Sequence, residues 1–289
     1  MRNFELIQPA SLAEAIHLLH DGDDSARVMS GGTALMLMMK TGLYAPRRLI
    51  SLGALEAHHS DISADHEGGV SIGAGSTLTA VETSPVIKRS APFIAKAMKK
   101  LANVRVRNAA RVGGALAHGD PHMDLPPILA SLGGELVILG PNGERKLAID
   151  SFYKGYLETG LLQGEIIIGV RLPSQAGWSS AYLKCTTRAA DDWPTVGVAV
   201  SIRIVSGVVA ESRIMVGAAT DRLTRLKSAE AALHMAPPDA VAIERAAEAA
   251  AAEAQTVDSS SGSAVYKTEL LRVYMRRALA EALLNGAVQ

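Results

Sequence analysis

Apolar and polar positions recur along this chain with two different periods, and the balance between them changes part-way. Residues 11–20 (SLAEAIHLLH) set Leu12, Ala15, Ile16 and Leu19 on one face behind Ser11, which predicts a short amphipathic helix with a serine N-cap. ARVMS (26–30) predicts a short buried strand that runs straight into Gly31-Gly32, then a helical turn over 33–40. A second strand follows at RRLISL (47–52), and GGVSIGAGSTL (68–78) alternates as a strand ending in glycines. Segment 77–102 has a helical pattern interrupted at Pro85 and Pro92. Residues 103–134 predict a loop dense in Gly, Asp and Pro, followed by a helix.

From ELVILG (135–140) the texture turns to short strands. PNGER reads as a hairpin-like turn and EIIIGVRLP (165–173) as a strand. AYLKC (181–185) and the segments 195–205 and 208–219 predict an antiparallel meander. The tail is helical over 221–235 and 238–255, then a Ser/Gly-rich link (256–263) leads to a last helix over 266–285. The change places a domain boundary near Gly177, with glycine-loop α/β structure over 1–176 and a sheet plus helices over 177–289.

Composition narrows the function. Lys+Arg and Asp+Glu are equal at 29 each, so the chain has no electrostatic footprint for nucleic acid. Aromatics make up only 4%, which argues against a base-stacking surface. No apolar run approaches the roughly 18 residues of a membrane span, and the acidic, interrupted N-terminus does not resemble a signal peptide. A cytoplasmic protein is expected, including at the inner face of a membrane through a complex. Cys185 is the only cysteine, so neither an internal disulfide nor a four-cysteine iron–sulfur cluster can be built here. His118 and His122 with Asp120 and Asp124 imitate a metal set, but Gly119 and Pro121 between them argue for a loop, and no metal is expected.

Two segments carry candidate chemistry. A strand that ends in Ser30-Gly31-Gly32-Thr33 and opens a helix points amide groups outward at a positive dipole end, which suits a phosphate. Alone, the same segment is compatible with a plain turn into a core helix with methionine filler. A second diglycine, Gly113-Gly114 in ARVGGALAHGDPHMD, allows two loops to clamp a diphosphate from opposite sides. Asp120 and Asp124 could accept hydrogen bonds from sugar hydroxyls or could cap helices. Trp193, between a charged loop and an apolar strand, could stack on a flat ring or cover a core edge. Lys184 could pair with an anionic ring or a phosphate, or be a solvated charge. No nucleophile elbow or paired-carboxylate pattern is present, which suits a cofactor-bearing electron relay.

These residues resemble a known family, the FAD-binding medium subunits of the molybdenum hydroxylases, of carbon monoxide dehydrogenase and xanthine dehydrogenase type. SGGTALMLMMK is similar to that family's first flavin loop, and NVRVRNAARVGGALAHGDPHMDLPP to its second. DDWPTVGVAV resembles the strand entry of its C-terminal domain, and GSAVYKTELLRVYMRRAL its closing helix. The resemblance implies an α+β fold: an FAD-binding domain of two α/β subdomains, like that of vanillyl-alcohol oxidase and split near 55–60, followed by a C-terminal antiparallel sheet with helices. It implies that Ser30, Gly31, Gly32, Thr33, Ala34 and Leu35, with Arg111, Val112, Gly113, Gly114 and Ala115, hold the FAD diphosphate. By the same resemblance Asp124 faces the ribityl or ribose side, Ile168 lies along the flavin, and Lys184 approaches the ring system. Trp193 sits by the isoalloxazine and Asp192 fixes its loop.

Ala115 stands where the family usually has Asn or Ser, Arg111 where it has Thr, and Leu223 where it has Pro, although Arg225 remains. The function implied is relay of electrons from [2Fe–2S] clusters of a small partner subunit to an external acceptor. Substrate oxidation would fall to the molybdenum cofactor of a large subunit, in a dimer of heterotrimers. Two alternatives stay open: a stand-alone flavin oxidoreductase of the vanillyl-alcohol oxidase-like fold, and an assembly subunit without flavin.

Overall fold

The computed structural model describes residues 2–22 and 25–286. The N-terminal part is a three-stranded parallel sheet of order β1-β3-β2, with β1 Glu5–Ile7, β2 Ala26–Met29 and β3 Arg48–Ser51. Helix α1 (Leu12–His20) is capped by Ser11, whose side chain accepts the Glu14 amide, and it buries Ala15 and Ile16 against Ala26, Ile50 and Ile166. Helix α2 (Leu35–Lys40) follows β2 directly.

A one-turn 3-10 helix, Glu56–His59, leads to a five-stranded antiparallel sheet of order β4-β5-β10-β6-β7. Its strands are β4 Ile62–Ala64, β5 Val70–Gly73, β6 Glu135–Gly140, β7 Gly143–Ala148 and β10 Ile166–Leu172. The helical pattern after β5 breaks at its two prolines as expected, into α3 (Leu78–Thr83), α4 (Pro85–Ser90) and α5 (Pro92–Met98). Each proline sits in the first turn of its helix, where its missing N–H costs nothing. The expected loop over 103–124 instead contains α6 (Val104–Ala109) and α7 (Val112–Ala117), before α8 (Leu125–Ser131). Asn103 caps α6 by accepting the Val106 amide at 3.1 Å, so its six residues need no long periodic pattern. A small hairpin, β8 (Tyr153–Gly155) with β9 (Glu158–Thr159), completes this part.

The expected antiparallel meander is present as a sheet of order β11-β12-β13-β14: Trp178–Thr186, Pro194–Val205, Val208–Gly217 and Thr224–Arg225. β14 occupies residues expected to be helical, so α9 runs only over Lys227–Leu233, ahead of α10 (Ala240–Glu253) and α11 (Ala264–Gly286). The sheet is buried on both faces, and the register shows how. Tyr182, Ala199 and Met215 lie side by side and join the core of the N-terminal part. Their neighbours Ala181, Val200 and Ile214 face the other way, onto Leu271, Met275 and Leu279 of α11 and the alanines of α10. Side chains alternate across a strand, so one sheet serves two cores. That arrangement fixes β11 and its polar residues against the loop before α8.

Candidate functional site

The two diglycine segments meet. The first leaves the end of β2, turns at Gly32 (φ +68°) and enters α2. A Cβ added at Gly31 would lie 2.0 Å from the carbonyl oxygen of Ala109, so the first loop touches the backbone leading into the second, and only glycine permits it. The second loop is anchored from below: Val112 N–H donates to Ser76 O (3.0 Å) and Gly113 N–H to Ala74 O (2.9 Å). A Cβ at Gly113 would meet that of Ala74 at 2.8 Å, whereas one at Gly114 would meet nothing within 4 Å. The two glycines therefore differ in purpose. Gly113 allows close packing, and Gly114 leaves space open.

That space belongs to a cleft of about 900 Å³, within the range of about 300–1,000 Å³ usual for small-molecule and cofactor sites. Both loops line it, with Glu56 between them. Ile168 reaches the wall because β10 bulges there: Ile167 pairs with Ile138 and Gly169 with Val137, leaving Ile168 as the extra residue. Bulges re-aim side chains in this way. At one end stand Trp193, half exposed at 52%, and His122, whose ring stacks on it at 6.0 Å between centroids.

Beneath this end lies a buried charged cluster. Asp124 is 8% exposed; it accepts the Tyr182 hydroxyl on Oδ1 and the Lys184 ammonium on Oδ2, the latter at 3.0 Å. Lys184 Nζ also donates to the Asp192 carbonyl at 2.8 Å, and Asp192 Oδ1 accepts the Trp193 amide at 2.9 Å. Burial pushes the Asp124 carboxyl above the usual carboxylate range, against the pull of Lys184 and Tyr182. Burial likewise pushes Asp120 up, but hydrogen bonds from the ring and amide of His122 bring it net below that range. His118 is held low by its burial, with Asp120 opposing.

The tyrosines of this region give a pH prediction. Burial raises the hydroxyls of Tyr153, which donates to Leu116 O at 2.9 Å, and of Tyr182 well above the normal tyrosine value. A raised folded value gives stability that is fully present below the unfolded value and lost as pH rises past it. Above about pH 10 the unfolded chain therefore loses protons that the folded chain keeps, and stability falls by up to about 1.4 kcal/mol per pH unit per group. Phenolate absorbance should show these two tyrosines ionising together with unfolding and not before it.

Of the residues singled out from the sequence, Ser30 to Leu35, Arg111, Gly113 to Ala115, Asp124, Ile168, Asp192 and Trp193 all line the cleft. Val112 and Lys184 do not. Val112 is 1% exposed and packs in the core beneath the loop. Lys184 was expected to approach a ring system, but its side chain is only 4% exposed and is turned to Asp124, behind the cleft wall. Sequence reasoning missed Glu56, His59, Thr159, Gln163 and Glu165, which also line it. Glu165 is held by Arg145, whose hydrogen bonds pull its carboxyl below the usual range. Among the described residues no three His, Cys, Asp or Glu side chains are grouped to hold a metal ion.

The family described as "FAD binding domain in molybdopterin dehydrogenase" matches residues 2–175, and that described as "CO dehydrogenase flavoprotein C-terminal domain" matches 181–282. The chain belongs to the FAD-binding medium subunits of the molybdenum hydroxylases. It is 31% identical to the carbon monoxide dehydrogenase medium chain of Hydrogenophaga pseudoflava, over 96% of both chains. It is 30% identical to the nicotine 6-hydroxylase medium subunit of Paenarthrobacter nicotinovorans, over 95% of both. The solved carbon monoxide dehydrogenase of Hydrogenophaga pseudoflava contains a chain that superposes with a TM-score of 0.93 at 33% identity, over 98% of both. This medium subunit is thus part of an oxidoreductase, and FAD is its cofactor. Its residues fit that group: a cleft of matching volume, two glycine loops on its wall, and open space at Gly114.

Gly114 separates a ligand loop from a turn by the sign of its effects. In Gly114→Ala the new methyl meets no protein atom within 4 Å, and alanine favours the helix. The flavin-free chain should gain up to about 1 kcal/mol in denaturant unfolding, while FAD affinity, followed by fluorescence quenching, should fall.

Proposed function

We propose that this medium subunit relays electrons from [2Fe–2S] clusters in a small partner subunit to an external acceptor. In this reading substrate is oxidised at a molybdenum cofactor in a separate large subunit, and the cytoplasmic complex is a dimer of heterotrimers. When bound, FAD supplies a ring system that takes up and releases electrons. The protein supplies position. Backbone amides of Ser30 to Leu35 and of Gly114 face the diphosphate, Asp124 the ribityl side, and Ile168 and Trp193 the ring. Ala115 offers no side-chain donor, and its N–H donates to the Arg111 carbonyl at 2.9 Å, so it closes the first turn of α7 and gives the ligand no hydrogen bond. Lys184 acts on the ring end indirectly, by holding Asp124 and the Asp192 carbonyl.

The observation that carries this reading is two glycine loops converging on one cleft in a chain with a single cysteine. In this reading the flavin is held here, and the ligands of a four-cysteine cluster come from another chain. Relatives named as medium chains and medium subunits support the same division. The test is to purify the tagged chain from the cells it comes from and to measure iron, molybdenum and FAD in what is recovered. Co-purified subunits carrying iron and molybdenum, with flavin reduction that requires them, are expected. A chain recovered alone whose flavin is reduced directly by an organic substrate would contradict the relay.

A further inference from the structure

Glu56 sits on the 3-10 turn that connects the three-stranded sheet to the five-stranded one. Its Oε1 accepts the Ser30 hydroxyl at 2.5 Å, and its Oε2 accepts Nε of Arg111 at 2.7 Å. Ser30 opens the first glycine loop and Arg111 opens the second, so one carboxylate holds an arm of each. Arg111 Nη1 donates further to the carbonyls of Asn108 (3.3 Å) and Ala109 (2.9 Å). Ala109 O is the atom against which Gly31 packs. Ser30, Glu56, Arg111, Ala109 and Gly31 therefore form a closed ring of contacts. The side chains of Glu56 and Arg111 are 12% and 22% exposed, and both residues line the cleft.

We propose that Glu56 is a positioning residue for the FAD diphosphate: through Ser30 and Arg111 it sets the separation and orientation of the two loops that receive it. This rests on the assignment of the cleft to FAD. The charge of Glu56 makes the idea testable by sign. A carboxylate on the wall of a diphosphate site repels the ligand and neutralises a guanidinium beside it, so on charge alone its removal tightens binding. On positioning alone its removal loosens binding. Positioning dominates here, because a binding constellation tolerates only about 0.5 Å of misplacement.

The experiment uses the full chain freed of flavin and titrated with FAD, read by fluorescence quenching, with thermal melting as a control for folding. Glu56→Gln keeps the size of the side chain and an acceptor for Ser30 but loses the charge held by Arg111. It is expected to weaken FAD binding at least about tenfold, and Ser30→Ala, which breaks the other arm, about three- to tenfold. In an Arg111→Gln background the further loss from Glu56→Gln should shrink below about threefold, because the residue acts through that guanidinium. Unchanged or tighter binding in Glu56→Gln overturns the proposal, as does an equal loss with and without Arg111. If Glu56→Gln fails to fold, Ser30→Ala decides, and an unchanged affinity there overturns it. A wild-type chain that does not bind FAD overturns the cofactor assignment and the role of Glu56 together; a wild-type chain that binds beside an undisturbed Glu56→Gln overturns only the role.

Discussion

Replacing Lys184 with methionine is expected to destabilise the chain by about 3–5 kcal/mol, the usual cost of removing one partner from a buried ion pair. The Asp124 carboxylate would keep the Tyr182 hydroxyl but lose its only cationic partner among the described residues, at 8% exposure. Burial already pushes this carboxyl above its normal range, and the loss of Lys184 removes the largest influence opposing it. The direction with pH follows from the raised folded value. Below the unfolded value, about 3.9, Asp124 is protonated in both states and the missing charge costs little. As pH rises toward the folded value the penalty grows, because only the unfolded chain gains a comfortable carboxylate. Urea unfolding of wild type and Lys184→Met at neutral and mildly acidic pH should therefore show a gap that narrows on acidification. A gap of the same size at both would mean that lost packing, not the charge, carries the effect. The variant also frees the Asp192 carbonyl, so the Trp193 loop should loosen, which a change in tryptophan fluorescence would report.

Gly31→Ala should separate folding from cofactor binding in a different way. Its methyl would be placed 2.0 Å from the Ala109 carbonyl oxygen, with the Ala109 carbonyl carbon at 2.9 Å and Ala110 Cα at 3.1 Å. All three are backbone atoms, so no side chain can turn aside, and the two loops have to move apart. Overpacking of this kind costs about 1–3 kcal/mol. The loss of FAD affinity should be larger, about 100-fold or more, because the displacement exceeds the roughly 0.5 Å that a preorganised site tolerates. Equilibrium dialysis against FAD checks the second figure and denaturant unfolding the first. Gly31→Ala and Gly114→Ala make a matched pair: one glycine is required by the protein and the other by the space beside it.

Much of this was legible in the sequence, and the reasons differ by element. The Ser11 cap, the prolines that divide α3, α4 and α5, and the strand meander follow from local rules that no distant contact overrides. The two diglycine loops stood out because glycine pairs next to short elements are conspicuous. Helices α6 and α7 were hidden because each has six residues and one contains the diglycine itself. Only the Asn103 cap signalled the first of them. Glu56 was invisible for a simpler reason. Its partners are 26 and 55 residues away, and nothing in LEAHHS marks a carboxylate that bridges two loops.

Lys184 was singled out for a ring system, and its charged partner in the structure is Asp124. Tyr182 and Lys184 are two apart on β11 and so point to the same face, and that face is the buried one. A lysine that follows a buried tyrosine by two on a core-facing strand implies an acidic partner inside, and Asp124 is that partner. Val112 shows the complementary placement: a residue within the glycine loop by sequence, but beneath it in space.

We propose that the FAD of this chain is held, without a covalent bond, between its two glycine loops. The most direct measurement is the visible spectrum of the purified chain, followed by acid precipitation and chromatography of the supernatant. A flavin spectrum and about one FAD released per chain are expected, one dinucleotide for one cleft. A colourless chain that stays colourless after incubation with FAD, or a flavin that remains on the precipitated protein, would contradict it.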